Sequence, residues 1–171
     1  MSDNYELENN AIDGKDETGS VNHSFTQVMI ASLLVSDSRF TVFSELSLDI
    51  SQYDLSKYRL GIEDEIKPDV CSYLNAPVIP DEEDDLVKVA QMPDLAIEIL
   101  SPRQSVSYLI RKTNAYLATG VKSCWLVIPA NKYIAVYSGT NQYKSFDVQH
   151  DTELVDDAMD IRLPIVQVFR K

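Results

Sequence analysis

From Asn22 onward, Phe25, Val28, Met29, Ser32 and Leu33 recur at intervals of three and four, a spacing that predicts an amphipathic helix over residues 22–36. Residues 40–50 switch to period two. Val42, Ser44, Leu46, Leu48 and Ile50 fall on one side and Thr41, Phe43, Glu45, Ser47 and Asp49 on the other, as in a strand with one mixed face. A second β-like run covers 66–73 and ends before Asn75, Pro77 and Pro80, which cannot continue a ladder. Residues 86–90 read as a helical turn or a short strand. Residues 92–100 are almost continuously apolar, with Pro93 near the start and Pro102 just beyond, as expected of a central strand covered on both faces. Ser101 as N-cap, Pro102 at the first helical position and Gly120 as stop frame a helix with Val106, Leu109, Ile110, Thr113 and Leu117 along one stripe. A strand over 124–128 completes a strand–helix–strand crossover. Alternating runs at 133–137 and 142–148 predict a meander, and 154–171 a short helix or turn followed by the apolar segment 161–169. The whole predicts an α/β domain with a mixed β-sheet of about five to seven strands flanked by α-helices.

Charge divides the chain in two. Of a net −12, residues 1–20 carry −5 (six acids against Lys15) and the run Asp81-Glu82-Glu83-Asp84-Asp85 another −5, leaving the remainder near neutral. Residues 1–20 therefore read as an acidic leader too polar to order itself, mobile or docked on a partner chain, and 21–171 as a single domain. The acidic balance lowers the expectation of a nucleic-acid partner without removing it, because a neutral domain can carry a locally basic cleft or rely on bound cations. No apolar run is long enough for a membrane span and no signal-like segment opens the chain, so the expectation is a soluble cytoplasmic protein. Cys71 and Cys124 sit in separate apolar stretches without metal-ligand spacing and read as buried free thiols.

Glu98 is the informative residue. An ionised carboxylate inside an apolar strand costs several kcal/mol unless a cation or hydrogen-bond donors meet it. Period two puts Asp94 and Ala96 on its face, and Asp69 could approach it if the strand beginning there is a neighbour. Two adjacent carboxylates repel unless a divalent cation lies between them, and all-oxygen ligands select magnesium or manganese over zinc. The alternative is a structural Glu98 paired with Arg103 or Arg111. Lys112, on the helix that leaves the Glu98 strand, shares one face with Tyr108 and Tyr116 at four-residue spacing, and could supply counter-charge for phosphodiester hydrolysis or be a solvated helix lysine.

The ordered series Pro93-Asp94-Leu95-Ala96-Ile97-Glu98-Ile99-Leu100-Ser101-Pro102, then Lys112, Tyr116, Gly120-Val121, Trp125-Leu126-Val127 and Pro129, with Pro68-Asp69-Val70 upstream, resembles the Uma-type family of restriction endonucleases, a domain-of-unknown-function group of the PD-(D/E)XK nuclease superfamily. The likeness runs over roughly residues 20 to 170. It implies a restriction endonuclease-like fold and a Mg²⁺-dependent endonuclease acting on DNA, with Mn²⁺ as a substitute ion. It also implies Asp69 and Glu98 as metal ligands and Lys112 as the catalytic lysine, since Leu100 occupies the superfamily's usual lysine position. His23 falls where members often carry a histidine; the residue alone reads as structural, at a helix start. The chain departs from the family pattern at Tyr108 and Ile128, where aspartates are usual. The alternative expectation is a catalytically inactive nuclease-fold protein serving as an interaction or nucleic-acid-binding module, for example as a homodimer.

Overall fold

The computed structural model describes residues 19–81 and 84–171. The leader expected over 1–20 falls almost wholly outside them, as does the centre of the 81–85 acidic run.

The described chain forms α1 (Val21–Val35), β1 (Thr41–Ser44), β2 (Leu48–Asp49), β3 (Glu65–Ile66), β4 (Val70–Tyr73), β5 (Leu95–Ile99), α2 (Val106–Ala118), β6 (Ser123–Ile128), β7 (Tyr133–Gly139), β8 (Gln142–Asp147), β9 (Glu153–Asp156) and β10 (Ile161–Pro164). Six strands make one mixed sheet in the order β1-β4-β5-β6-β7-β8, parallel only between β5 and β6. The parallel pair is joined by α2, the predicted crossover. Strand β5 is covered on both faces. Leu95, Ile97 and Ile99 enter a core with Ile30 and Leu34 of α1 and Leu154, Ile161 and Val168 of the C-terminal region. Ala96 enters a second core with Tyr108, Leu109 and Tyr116 of α2. The β9–β10 hairpin is pinned to β6 by Asp156, whose carboxylate accepts from Ser123 Oγ at 2.6 Å and Trp125 Nε1 at 2.7 Å. Both cysteines are buried and free. Among the described residues no helix is long and apolar enough to cross a membrane.

Local departures from the sequence reading have physical causes. The alternating run 40–50 is two strands rather than one, because Glu45 takes a positive φ of 53° and turns the chain out of the main sheet into the β2–β3 pair. The run 66–73 is likewise broken at Pro68 into β3 and β4, as a residue without an N–H breaks a ladder. Residues 86–90 form neither helix nor strand; Val89 makes only an isolated bridge to Leu48. Ser101-Pro102 does not start α2. It forms a turn, with Gln104 N bonded to Ser101 O at 3.1 Å, and Ser105 is the N-cap, its Oγ accepting from Tyr108 N at 3.2 Å. Gly120 stops the helix as expected: at φ 98° it forms the 6→1 and 5→2 pair of a Schellman end, Val121 N to Tyr116 O and Gly120 N to Leu117 O. Of the short helix or turn expected from 154, the turn forms: residues 157–160 join β9 and β10 into a hairpin. On α1, the inward residues are His23, Thr26, Ile30 and Leu34, whereas Phe25 and Val28 of the predicted stripe are exposed.

Candidate active site

Asp69 follows Pro68 immediately before β4. Val70 pairs with Ile97, and one further step of that antiparallel register sets position 69 opposite 98. Directly opposed residues share a face, with Cβ atoms about 5 Å apart. On the other side, continuing Ser44↔Val70 sets 45 opposite 69, and Glu45 N donates to Asp69 O at 3.1 Å. Three carboxylate-bearing positions thus cross neighbouring strands in one row. All three residues line a cavity of about 270 Å³, together with His23 and Gln27 from α1, Ser101 and Gln104 from the turn, and Lys112 from α2.

Each carboxylate is held differently. Asp69 Oδ1 meets His23 Nε2 at 3.2 Å, and Oδ2 accepts from Ile99 N at 2.7 Å. Gln27 Nε2 donates to Asp69 O at 2.9 Å, so α1 clamps the residue through both side chain and backbone. Glu98 is fully buried, and its polar contacts among the described residues fall on Oε1: Lys112 Nζ at 2.8 Å and Tyr116 Oη at 2.8 Å. Lys112 also donates to Lys67 O at 2.9 Å. An ammonium has three N–H donors, and these two acceptors leave one without a partner among the described residues, on a side chain that lines the cavity. Two further polar atoms at the cavity are buried without a partner among the described residues, Ser101 Oγ and His23 Nδ1.

The electrostatics follow from burial. Desolvation pushes the Glu98 carboxyl up to about 7, with Lys112 pulling it down and the neighbouring Asp69 charge pushing it further up. Burial works against the Lys112 ammonium, but the Glu98 and Asp69 charges override it and raise its pKa, so the lysine stays protonated. Burial lifts the Tyr116 hydroxyl well above its ordinary range, keeping it a donor to Glu98. The hydrogen bond to Asp69 raises the His23 pKa despite partial burial.

The structure therefore brings Asp69, Glu98 and Lys112 together. The partner of Glu98 is Lys112, not Arg103 or Arg111, and Lys112 is buried rather than solvated. Leu100, on the same face of the strand, packs against the α2-side core, and the cation arrives from the helix instead. His23 does more than start a helix, since its ring contacts Asp69. Asp94, on the Glu98 face, lies away from the cavity, binding Leu74 N at 2.8 Å and Lys122 Nζ at 2.8 Å. Sequence reasoning missed Gln27, Glu45, Ser101 and Gln104, polar residues whose roles arise only when α1, the β1 end and the 101–104 turn converge.

Among the described residues no group of three or more His, Cys, Asp or Glu is arranged to hold a metal by protein ligands alone. A Mg²⁺ site usually takes one or two carboxylates and completes its shell with water and substrate phosphate, so the Asp69–Glu98 pair fits that ion or Mn²⁺ by donor chemistry, and lacks the nitrogen and sulfur set of structural zinc.

Comparison with known proteins gives the family and the fold. The family model Uma2, described as "Putative restriction endonuclease", matches residues 11–165. Among solved structures, the chain is similar to one described as "a putative nuclease belonging to DUF820 from Anabaena variabilis ATCC 29413", with a TM-score of 0.69, 22% identity and coverage of 88% of this chain and 82% of that one. That likeness establishes the restriction endonuclease-like α/β fold. No curated protein matches.

Proposed function

This chain belongs to the Uma2 family, and from that premise we propose that its cavity hydrolyses phosphodiester bonds of DNA with a divalent cation, Mg²⁺ or Mn²⁺. The observation that carries the reading is the inward Lys112: its ammonium lies 2.8 Å from Glu98 Oε1 in the cavity that Asp69 also lines. Asp69 and Glu98 would hold the cation, which when bound polarises a phosphoryl oxygen and acidifies water. The chain's own residues supply the rest. Lys112, anchored by Glu98 and Lys67 O, offers its remaining N–H to the attacking water or to a non-bridging phosphate oxygen, where negative charge grows in the transition state. Tyr116 fixes the Glu98 carboxylate from the helix side. His23 and Ile99 N fix that of Asp69. Ser101 Oγ is a spare hydroxyl at the same wall.

The alternative, an inactive nuclease-fold binding module, would leave Lys112 free to face solvent; its burial favours the enzyme. The test is incubation of the purified protein with supercoiled plasmid in EDTA, Mg²⁺ or Mn²⁺, alongside Asp69→Asn and Glu98→Gln. Expected is cation-dependent nicking by the wild type and none by either variant. Nicking at wild-type rate by either variant, or intact plasmid with the folded wild type under both cations, overturns the reading.

A further inference from the structure

The stripe on α1 that the sequence pattern singled out is not the buried one. Phe25 is 38% exposed and Val28 64% exposed, while His23, Thr26, Ile30 and Leu34 face inward. Beside this outer stripe lies a groove of about 940 Å³, walled by Phe25 and Met29 of α1 and by Val166 and Phe169 near the C-terminus. A smaller cleft of about 320 Å³ begins at Asn22 in the first turn of α1 and shares Lys132, Phe169, Arg170 and Lys171 with the groove. The two form a continuous channel running from the helix start.

Its charge is inverted relative to the chain. The protein has 27 acids against 15 lysines and arginines, yet among the described residues no Asp or Glu lines either cleft. Lys132, Arg170 and Lys171 line both, and among the described residues none of them forms an ion pair. The channel thus asks for an occupant that is both acidic and intermittently apolar. Residues 1–18 have that composition: six acids against Lys15, interspersed with Tyr5, Leu7 and Ile12. They are joined to α1 beside the point where the channel opens, and extended chain covers about 3.3 Å per residue, so reach is not limiting.

We propose that the acidic N-terminal segment, residues 1–18, docks in this channel of its own molecule, its carboxylates on Lys132, Arg170 and Lys171 and its apolar side chains on Phe25, Met29 and Val166. Docking in cis is favoured over a second copy because the linkage gives a high effective concentration.

Glutamyl endopeptidase cleaves after glutamate, and Glu6, Glu8 and Glu17 lie within the segment. Cleavage of the full-length protein at those positions is followed by mass spectrometry, in the wild type and in the variant combining Lys132→Glu, Arg170→Glu and Lys171→Glu, with thermal unfolding checked for both. Because cleavage tracks the open population, release in the variant is expected to be at least about tenfold faster. Raising salt on the unaltered protein gives the same direction without a substitution, since screening weakens exposed charge contacts. Carbodiimide coupling of a mixture of ¹⁴N and ¹⁵N protein is expected to join acids of the segment to Lys132 or Lys171 within one isotopic copy. Equal cleavage rates in variant and wild type, independent of salt, overturn the proposal. Links formed only between isotopically different copies overturn it in favour of a second molecule as host. Loss of single-stranded oligonucleotide binding in the variant, with cleavage unchanged, overturns it in favour of a nucleic-acid groove.

Discussion

The two faces of β5 are built from the same five-residue strand and obey different rules. Toward α1, the side chains of Leu95, Ile97 and Ile99 are fully buried among apolar neighbours and contribute only burial. Toward α2, Ala96 is followed by Glu98, equally buried but compensated by Lys112 and Tyr116 one helix away. One face stabilises; the other stores a charged pair in the interior. A buried ion pair rarely stabilises a fold more than apolar residues of the same shape would, so its presence at a cavity wall points to chemistry rather than to folding.

The comparison breaks most sharply under one substitution on each face. Ile97→Ala deletes buried methyl and methylene groups and is expected to cost about 2–5 kcal/mol, while folded molecules keep their turnover. Lys112→Met keeps the stem and removes the ammonium. It is expected to lower cation-dependent cleavage by about 10²–10³-fold, as loss of a transition-state donor does. Breaking the buried pair is also expected to cost about 3–5 kcal/mol. Denaturant unfolding and single-turnover cleavage, measured on the same samples, check the split. If Ile97→Ala loses rate per folded molecule as severely as Lys112→Met, the two faces are not functionally distinct.

The division also marks what the sequence could disclose. The apolar face of β5 was legible because burial on both sides leaves an unbroken hydrophobic run, and Glu98 was legible as the one interruption of it. Lys112 and Tyr116 were legible as a four-residue repeat on α2. Asp69 came into view through Pro68-Asp69-Val70, but its place opposite Glu98 depends on β4 lying next to β5, a non-local pairing that no local pattern encodes. Glu45 was read as one position of a continuous strand, because period two says nothing of the positive φ that ends β1 there. On α1, two stripes of usable residues compete, and the inward one contains His23 and Thr26, which hydropathy ranks below Phe25 and Val28. The choice follows from His23 and Gln27 engaging Asp69, a tertiary contact.

A pH series sharpens the contrast at intermediate magnitude. Burial pushes the folded Glu98 carboxyl up to about 7 from an ordinary 4.5. The native state therefore holds this proton more tightly than the unfolded chain. The associated stability is fully present below about 4.5 and is lost as pH rises through about 7, where the carboxylate must ionise inside the protein. His23, whose pKa is also raised, acts with the same sign. In EDTA, the wild type is expected to lose on the order of 3 kcal/mol relative to Glu98→Gln between pH 4.5 and 7.5. Mg²⁺ should return part of it at the upper end, because an ion that binds the folded carboxylates stabilises that state. Parallel stability curves for the two proteins would mean that Glu98 is ionised throughout.

The smallest expected effect concerns Tyr116, which touches Glu98 but not the cavity wall. Its hydroxyl donates to Glu98 Oε1 at 2.8 Å, the same oxygen that Lys112 binds. Tyr116→Phe keeps the ring in the α2-side core and removes one donor to a carboxylate, worth about 1.5–3 kcal/mol for a bond to a charged group. Most of that loss falls on the ionised form, so the Glu98 pKa is expected to rise and the acid limb of the cleavage profile to move to higher pH. The plateau rate at alkaline pH should stay within about threefold of wild type, because Lys112 still holds the carboxylate and keeps the role proposed for it. A purely structural tyrosine would lower stability and leave the profile where it was. A tyrosine that touched the reacting phosphate would lower the plateau instead. The position of the acid limb, rather than the rate at any single pH, measures what Tyr116 adds to burial, Lys112 and Asp69 in setting when Glu98 is charged.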